Sequence, residues 1–199
     1  MAHTRRRVTD PAGGCFRTMN GEEHTVGKWD LIIAHPPCTY LSNAGACRLY
    51  PKKHEYNNER FIKGLEAKRF LITFLKTECD RIAVENPVPA SIFNLPIPSQ
   101  IIQPYEFGHP YTKKTLLWLK GLKPLIPTNI VNPISPYCPS GTGRKNREKY
   151  GAAKRGEDAK NRSKTFPGIA KAMAEQWGGM LLRGETYTTP EQMTLFQEG

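Results

Sequence analysis

At 199 residues the chain is long enough to bury one real core, and its net charge of +11 favours a polyanionic partner, nucleic acid before membrane. No apolar run approaches the ~18–20 residues that span a bilayer. The arginines near the N-terminus are followed by no apolar segment, which excludes a secretory signal and gives the expectation of a soluble, cytoplasmic protein. Five cysteines at irregular spacing, none in a C-x-x-C pair, exclude a zinc ribbon and a disulfide framework.

Residues 1–28 are polar and weakly patterned, which predicts an irregular N-terminal arm. The stretch from Asp10 to Phe16 is Gly-containing, but the gap to Asp30 is too short and too Gly-rich for a helical crossover to a parallel strand. Leu31-Ile32-Ile33-Ala34 is an apolar run bounded by turn residues, the pattern of a central strand buried on both faces. Pro36-Pro37 then stops both sheet and helix, because neither residue has an N–H to donate. Cys38 is thereby expected at the carboxyl end of that strand, the edge where open α/β sheets bind ligands. From these residues alone it reads equally as a nucleophile on a stiff shelf or as a structural thiol.

Residues 43–57 are small, polar and turn-like. Asn57-Asn58 with Glu59 makes a helix start, and Phe61, Leu65, Lys68, Ile72 and Leu75 follow at helical spacing, predicting a core-packed amphipathic helix over 58–76. Arg81 to Val84 reads as a second buried strand ending at Glu85-Asn86-Pro87. Strand, helix, strand in this order is a right-handed unit, so Cys38 and Glu85 share one sheet edge. Residues 87–111 carry many prolines and are expected to be largely irregular, with a short strand and turn over 103–109. Leu116 to Leu119 is a third strand, preceded by Lys113-Lys114, and 121–139 is a Pro-rich loop. The span 140–164 holds nine Lys/Arg against three acids and reads either as a solvated linker or as a loop that orders on phosphates. A last helix over 165–177 has proline in its first turn and Ile169, Met173 and Trp177 on one face, and 178–199 reads as a tail. The whole predicts an α/β fold over 29–177, a partial Rossmann-like, mostly parallel sheet with flanking helices. His35 and His109 are read as structural, and no metal site is expected, since no third ligand is suitably spaced.

With these positions assigned, a resemblance emerges. Pro36-Pro37-Cys38-Thr39-Tyr40-Leu41-Ser42 resembles the Pro-Cys-x-x-x-Ser catalytic loop of cytosine-5 DNA methyltransferases. Glu85-Asn86-Pro87 is similar to their Glu-Asn-Val motif, with proline in place of valine. Thr112 to Thr115 stands where the family carries Gln-x-Arg-x-Arg, with lysines that lack the arginine fork. Thr165 to Trp177 resembles the family's C-terminal helix, which folds back beside the cofactor. The order and spacing resemble the compact phage and prophage members, over about residues 29–177.

The resemblance implies a chemistry. A Cys38 thiolate adds to C6 of a cytosine turned out of DNA, Glu85 supplies a proton at N3, Asn86 orients the neighbouring loop, and Lys113 or Lys114 stabilises ring charge or a flanking phosphate. It also implies a cofactor, S-adenosylmethionine, beside Pro36, Pro37 and Trp177. The candidate DNA contacts are Ser42, Asn43 and Arg48, with Arg144, Lys145, Arg147, Lys149, Lys154, Arg155, Arg162 and Lys164 of the basic loop.

Members of that family begin with a strand and a Gly-rich turn that binds the cofactor, and this chain has no room for that unit before Asp30. The expectation is therefore weak or no cofactor binding by this chain alone, as a truncated or remodelled methyltransferase, as one completed by a second chain, or as one that has lost the donor function. Two alternatives stay open: a catalytically silent nucleic-acid-binding remnant, and an amino (N4 or N6) methyltransferase, since His35-Pro-Pro-Cys38 is also similar to Asp-Pro-Pro-Tyr.

Overall fold

A computed structural model of the chain describes residues 14–17, 21–51, 55, 57–136 and 164–187. Its strands are β1 (Gly14–Arg17), β2 (Glu23–Val26), β3 (Ile32–Ala34), β4 (Ile82–Pro87), β5 (Gln100–Ile102), β6 (Tyr111–Thr112), β7 (Thr115–Lys120) and β8 (Ser135–Pro136). Its helices are α1 (Ala46–Leu49), α2 (Asn58–Leu75) and α3 (Pro167–Leu182), with short 3₁₀ turns at Asn43–Gly45, Ser91–Phe93 and Pro104–Glu106.

The fold is α/β, built on a small mixed sheet in the order β3-β4-β7-β5. The expectation of a mostly parallel sheet needs correction. Among the described residues of this sheet only the β3–β4 pair is parallel, while β7 is antiparallel to both β4 and β5. A parallel neighbour needs a long crossover, usually helical. The 58–75 helix supplies one between β3 and β4, whereas β5 and β7 are joined by a short stretch carrying only one 3₁₀ turn and β6.

Period-2 alternation along the central strands sorts the core into two layers. Ile82 and Val84 of β4 and Leu116 and Trp118 of β7 pack with Leu71 and Leu75 of α2. Their neighbours Ala83, Leu117 and Leu119 pack on the other side with Ile169, Met173, Trp177 and Met180 of α3. The uninterrupted apolar runs in β4 and β7 follow directly, because both faces are covered.

β3 departs from its expected place. Among the described residues it is an edge strand, paired with β4 alone, and Ile33 on the α3 side is 38% exposed. The described residues before β3 also differ from the expected irregular arm: β1 and β2 pair antiparallel in register Gly14↔Val26 to Arg17↔Glu23. Such a pair satisfies its backbone groups locally, so it needs no long apolar pattern to announce it. The strand expected within 103–109 lies slightly earlier, at Gln100–Ile102, and Pro104–Glu106 is a 3₁₀ turn because Gln103 and Glu106 make a reciprocal capping box.

The last helix continues past its expected end at Trp177 to Leu182, through Gly178-Gly179. Burial of Met180 outweighs the weak helix preference of those glycines. Residues 178–187 thus belong to the domain and not to a tail: Arg81 Nε donates to the Glu185 carbonyl at 2.7 Å, and the Tyr187 N–H to the Gly121 carbonyl at 3.0 Å.

The start of α3 is held by a side chain from afar. Phe166 at its N-cap offers no side-chain acceptor, and the Gly168 N–H donates instead to His109 Nε2 at 3.0 Å. The approach is close enough that a Cβ on Gly168 would lie 2.0 Å from the Phe107 carbonyl oxygen. Replacing His109 with alanine removes the cap and is expected to lower stability by about 1 kcal/mol, read as a drop in Tm of a few degrees. An unchanged Tm would show that the helix end finds another acceptor.

Candidate active site

The exit of β3 is set by its prolines. Pro36 is buried and Pro37 exposed, and with ladder donors gone the strand cannot continue. The Pro36 carbonyl is taken by a side chain instead: Asn86 Nδ2 donates to it at 2.9 Å. The chain then turns at Cys38, whose carbonyl accepts the N–H groups of Leu41 at 3.1 Å and Ser42 at 2.8 Å.

The residues after β4 stitch this turn down. The Asn43 N–H donates to the Val88 carbonyl and the Ala90 N–H to the Leu41 carbonyl, both at 2.8 Å, and Ser42 bridges Pro89. Leu41 is fully buried. From α2, Arg60 donates to the Thr39 carbonyl at 2.6 Å and lies 5.0 Å from the Tyr40 ring centroid. The Cys38 loop is therefore fixed from two sides before any ligand arrives.

Cys38 is half-buried. Burial pushes its thiol above the ordinary range, and the charge of Glu85 pushes it further; the hydrogen bond at its own backbone and the ammonium of Lys113 pull the other way. The carboxylate and the ammonium thus both act on the thiol, which brings Cys38, Glu85 and Lys113 into one electrostatic site. The folded chain retains a thiol proton that the unfolded chain gives up sooner, so this group's contribution to stability falls as pH rises through the alkaline range. Lys113→Ala removes the group that favours the thiolate. Alkylation of Cys38 by iodoacetamide, followed by peptide mapping, is expected to slow at fixed pH; a faster reaction would contradict the assigned sign.

Glu85 and Asn86 lie within β4, not beyond its end, and alternation sends them to opposite faces. Glu85 goes to the α3 side, where its side chain is 17% exposed and its Oε2 stands 2.8 Å from His35 Nδ1. Asn86 goes to the α2 side, is 1% exposed, and leaves Oδ1 without a partner among the described groups. A buried orphan acceptor is costly, so an amide kept there serves to hold the Pro36 carbonyl.

The two lysines differ. Lys113 is half-buried, its N–H donates to Gln103 Oε1 at 2.8 Å, and its ammonium lies 5.8 Å from the centroid of the Phe166 ring. Lys114 is exposed, and only Lys113 is among the groups whose charge shifts Cys38.

Trp177 corrects the cofactor expectation. It is fully buried in the α3-side core, with its indole N–H donating to the Lys123 carbonyl at 2.9 Å, so it offers no face to a ligand. Of the expected DNA contacts, Asn43 and Arg48 are exposed, Ser42 is half-buried in the Cys38 turn, and Lys164 is exposed before α3. Arg144, Lys145, Arg147, Lys149, Lys154, Arg155 and Arg162 lie outside the described residues. Among the described residues no group of three metal-ligating side chains occurs, and no helix is long and apolar enough to cross a membrane. A hollow of about 730 Å³ lies beside Lys68, Arg69 and Lys76 and one of about 920 Å³ beside Asp30, Arg81 and the end of α3, and Cys38 lines neither.

The residue that sequence reasoning undervalued is His35. The parallel register pairs Ile33 with Ala83 and Ala34 with Val84, and one further step sets His35 beside Glu85 on the same face. Carrying that register forward from the two apolar runs is the signal that identifies it.

No family model, curated protein or solved structure matches the chain.

Proposed function

We propose that this protein acts on DNA cytosine, as a cytosine-5 methyltransferase-like catalyst whose nucleophile is Cys38. In this reading β3, α2 and β4 form part of a Rossmann-like unit, and a target base is turned out of the duplex at a cost of a few kcal/mol. The observation that carries it is geometric: the Cys38 turn is pinned to the residues after β4 and to Arg60, at the sheet edge where Glu85 meets His35.

The chemistry follows from the ring. The thiolate forms a bond to C6. The C5=C6 pair shifts to C4=C5, the N3=C4 pair moves to N3, and N3 takes a proton from the Glu85 carboxyl. The product is an enamine with nucleophilic C5. Lys113, beside the site, offsets the negative charge as it develops.

S-adenosylmethionine is the donor the family resemblance implies, and the described residues do not fit it. Trp177 is sealed in the core, and β1 and β2 pair antiparallel with each other instead of feeding a parallel sheet. In this reading a second chain supplies the donor site, and this chain's own residues carry the activation of the pyrimidine alone. Calorimetry of this chain with S-adenosylmethionine is expected to show no micromolar binding; micromolar affinity would overturn that division of labour.

The proposal is tested without any donor. An enamine C5 takes a proton from water, N3–H returns its proton, the original C5 hydrogen leaves, and expulsion of the thiolate restores the cytosine. DNA tritiated at cytosine C5 is expected to release tritium in the presence of the protein; no release from single- or double-stranded DNA would refute the reading. The sealed tryptophan also favours a second reading, a silent DNA-binding remnant. It gives salt-dependent DNA binding unchanged by Cys38→Ala and no tritium release.

A further inference from the structure

We propose that His35 is the proton-positioning residue of this site, linking the Glu85 carboxyl to solvent and holding the proton that Glu85 passes to N3 of the pyrimidine. The inference rests on the cytosine reading above and adds a residue to it.

His35 Nδ1 and Glu85 Oε2 are 2.8 Å apart, with the imidazole 39% exposed and the carboxylate 17%. The inner group is the acid and the outer group faces water. The backbone sets the pair side by side, because His35 directly follows Ala34 and Glu85 directly follows Val84, the last residues paired between β3 and β4. It also cannot swing with a mobile loop, since Pro36 follows it and the Pro36 carbonyl is held by buried Asn86.

The chemistry needs such a partner. An ordinary carboxyl near neutral pH is ionised and has no proton to give, whereas imidazole is the side chain that takes up and releases one there. A proton bridging Nδ1 and Oε2 across their 2.8 Å contact is the one the reaction uses. When C6 receives the Cys38 sulfur and N3 becomes basic, that proton passes through the Glu85 carboxyl to N3 and leaves a neutral imidazole beside a carboxylate. It returns when N3 is deprotonated. The thiol has given one proton to water and the pair has taken one from water, so the count closes. Among the described residues, Cys38 and Lys113 are the other ionisable groups assigned to the site.

Tritium release from C5-labelled DNA, measured across pH with native protein, His35→Asn, His35→Ala and Cys38→Ser, tests this. Asparagine keeps an N–H near the Nδ1 position but carries no titrating proton. The expected result is native DNA affinity with release slowed at least ~10-fold at neutral pH, and a changed dependence of release on pH. Added free imidazole is expected to restore release by His35→Ala, which a merely structural role would not allow. Native rate and pH profile in His35→Asn, or no rescue of His35→Ala, would overturn the proposal while leaving Cys38 chemistry intact. Absence of release by the native protein would overturn both.

Discussion

Replacing Cys38 with serine is expected to cut tritium release from C5-labelled DNA by roughly a thousandfold or more, the scale seen when a covalent nucleophile is removed. A hydroxyl stays protonated at any pH the fold tolerates. A thiol supplies some thiolate even when burial and Glu85 hold its ionisation back. The substitution leaves the architecture alone. The turn contacts at this position are made by the Cys38 carbonyl to Leu41 and Ser42, and serine keeps them. Tm should therefore stay within a couple of degrees of native. Loss of activity together with loss of fold would mean the thiol's packing matters; native release by the serine variant would remove Cys38 from the mechanism.

Replacing Glu85 with glutamine is expected to slow release by about a hundredfold, the lower range for removal of a positioned acid. Glutamine matches the shape and preserves a contact for His35, yet has no proton to deliver to N3. The same change has an opposite consequence at the thiol. The Glu85 charge is one of the causes holding the Cys38 ionisation up, so its removal favours the thiolate. Iodoacetamide should then modify Cys38 faster while cytosine chemistry becomes slower. That divergence separates an acid in the reaction from a carboxylate that merely tunes its neighbour. Both rates moving in the same direction would contradict the two roles assigned to Glu85.

The elements most legible in the sequence are those whose signals are local. Asn57 caps α2 as its position suggests, accepting the Arg60 N–H at 2.9 Å, and the helical period ahead of Leu75 places the apolar stripe. The apolar runs at 82–84 and 116–119 are the two central strands. Strand order is less legible, because β7 enters between β4 and β5 and no local pattern encodes which strand sits between which. The same applies to β3: Leu31 to Ala34 has the composition of a central strand, but pairing on one side only leaves Ile33 exposed. At the site, Cys38 and Glu85 are legible because each follows an apolar run and a strand–helix–strand unit aligns them. His35 is not, since its partner lies fifty residues away and only the register joins them. Trp177 escapes for a related reason. The period of its helix shows which face it shares, but not that Lys123 and the α3-side core cover that face and leave no room for a cofactor.

The most direct test replaces the target cytosine in DNA with 2-pyrimidinone, whose ring accepts a nucleophile at C6 more readily and holds the adduct longer. Mass spectrometry of the digested complex is expected to find the pyrimidine attached to the peptide containing Cys38, with no adduct on Cys38→Ser. An adduct on another residue, or none at all on protein that binds the DNA, would contradict the account.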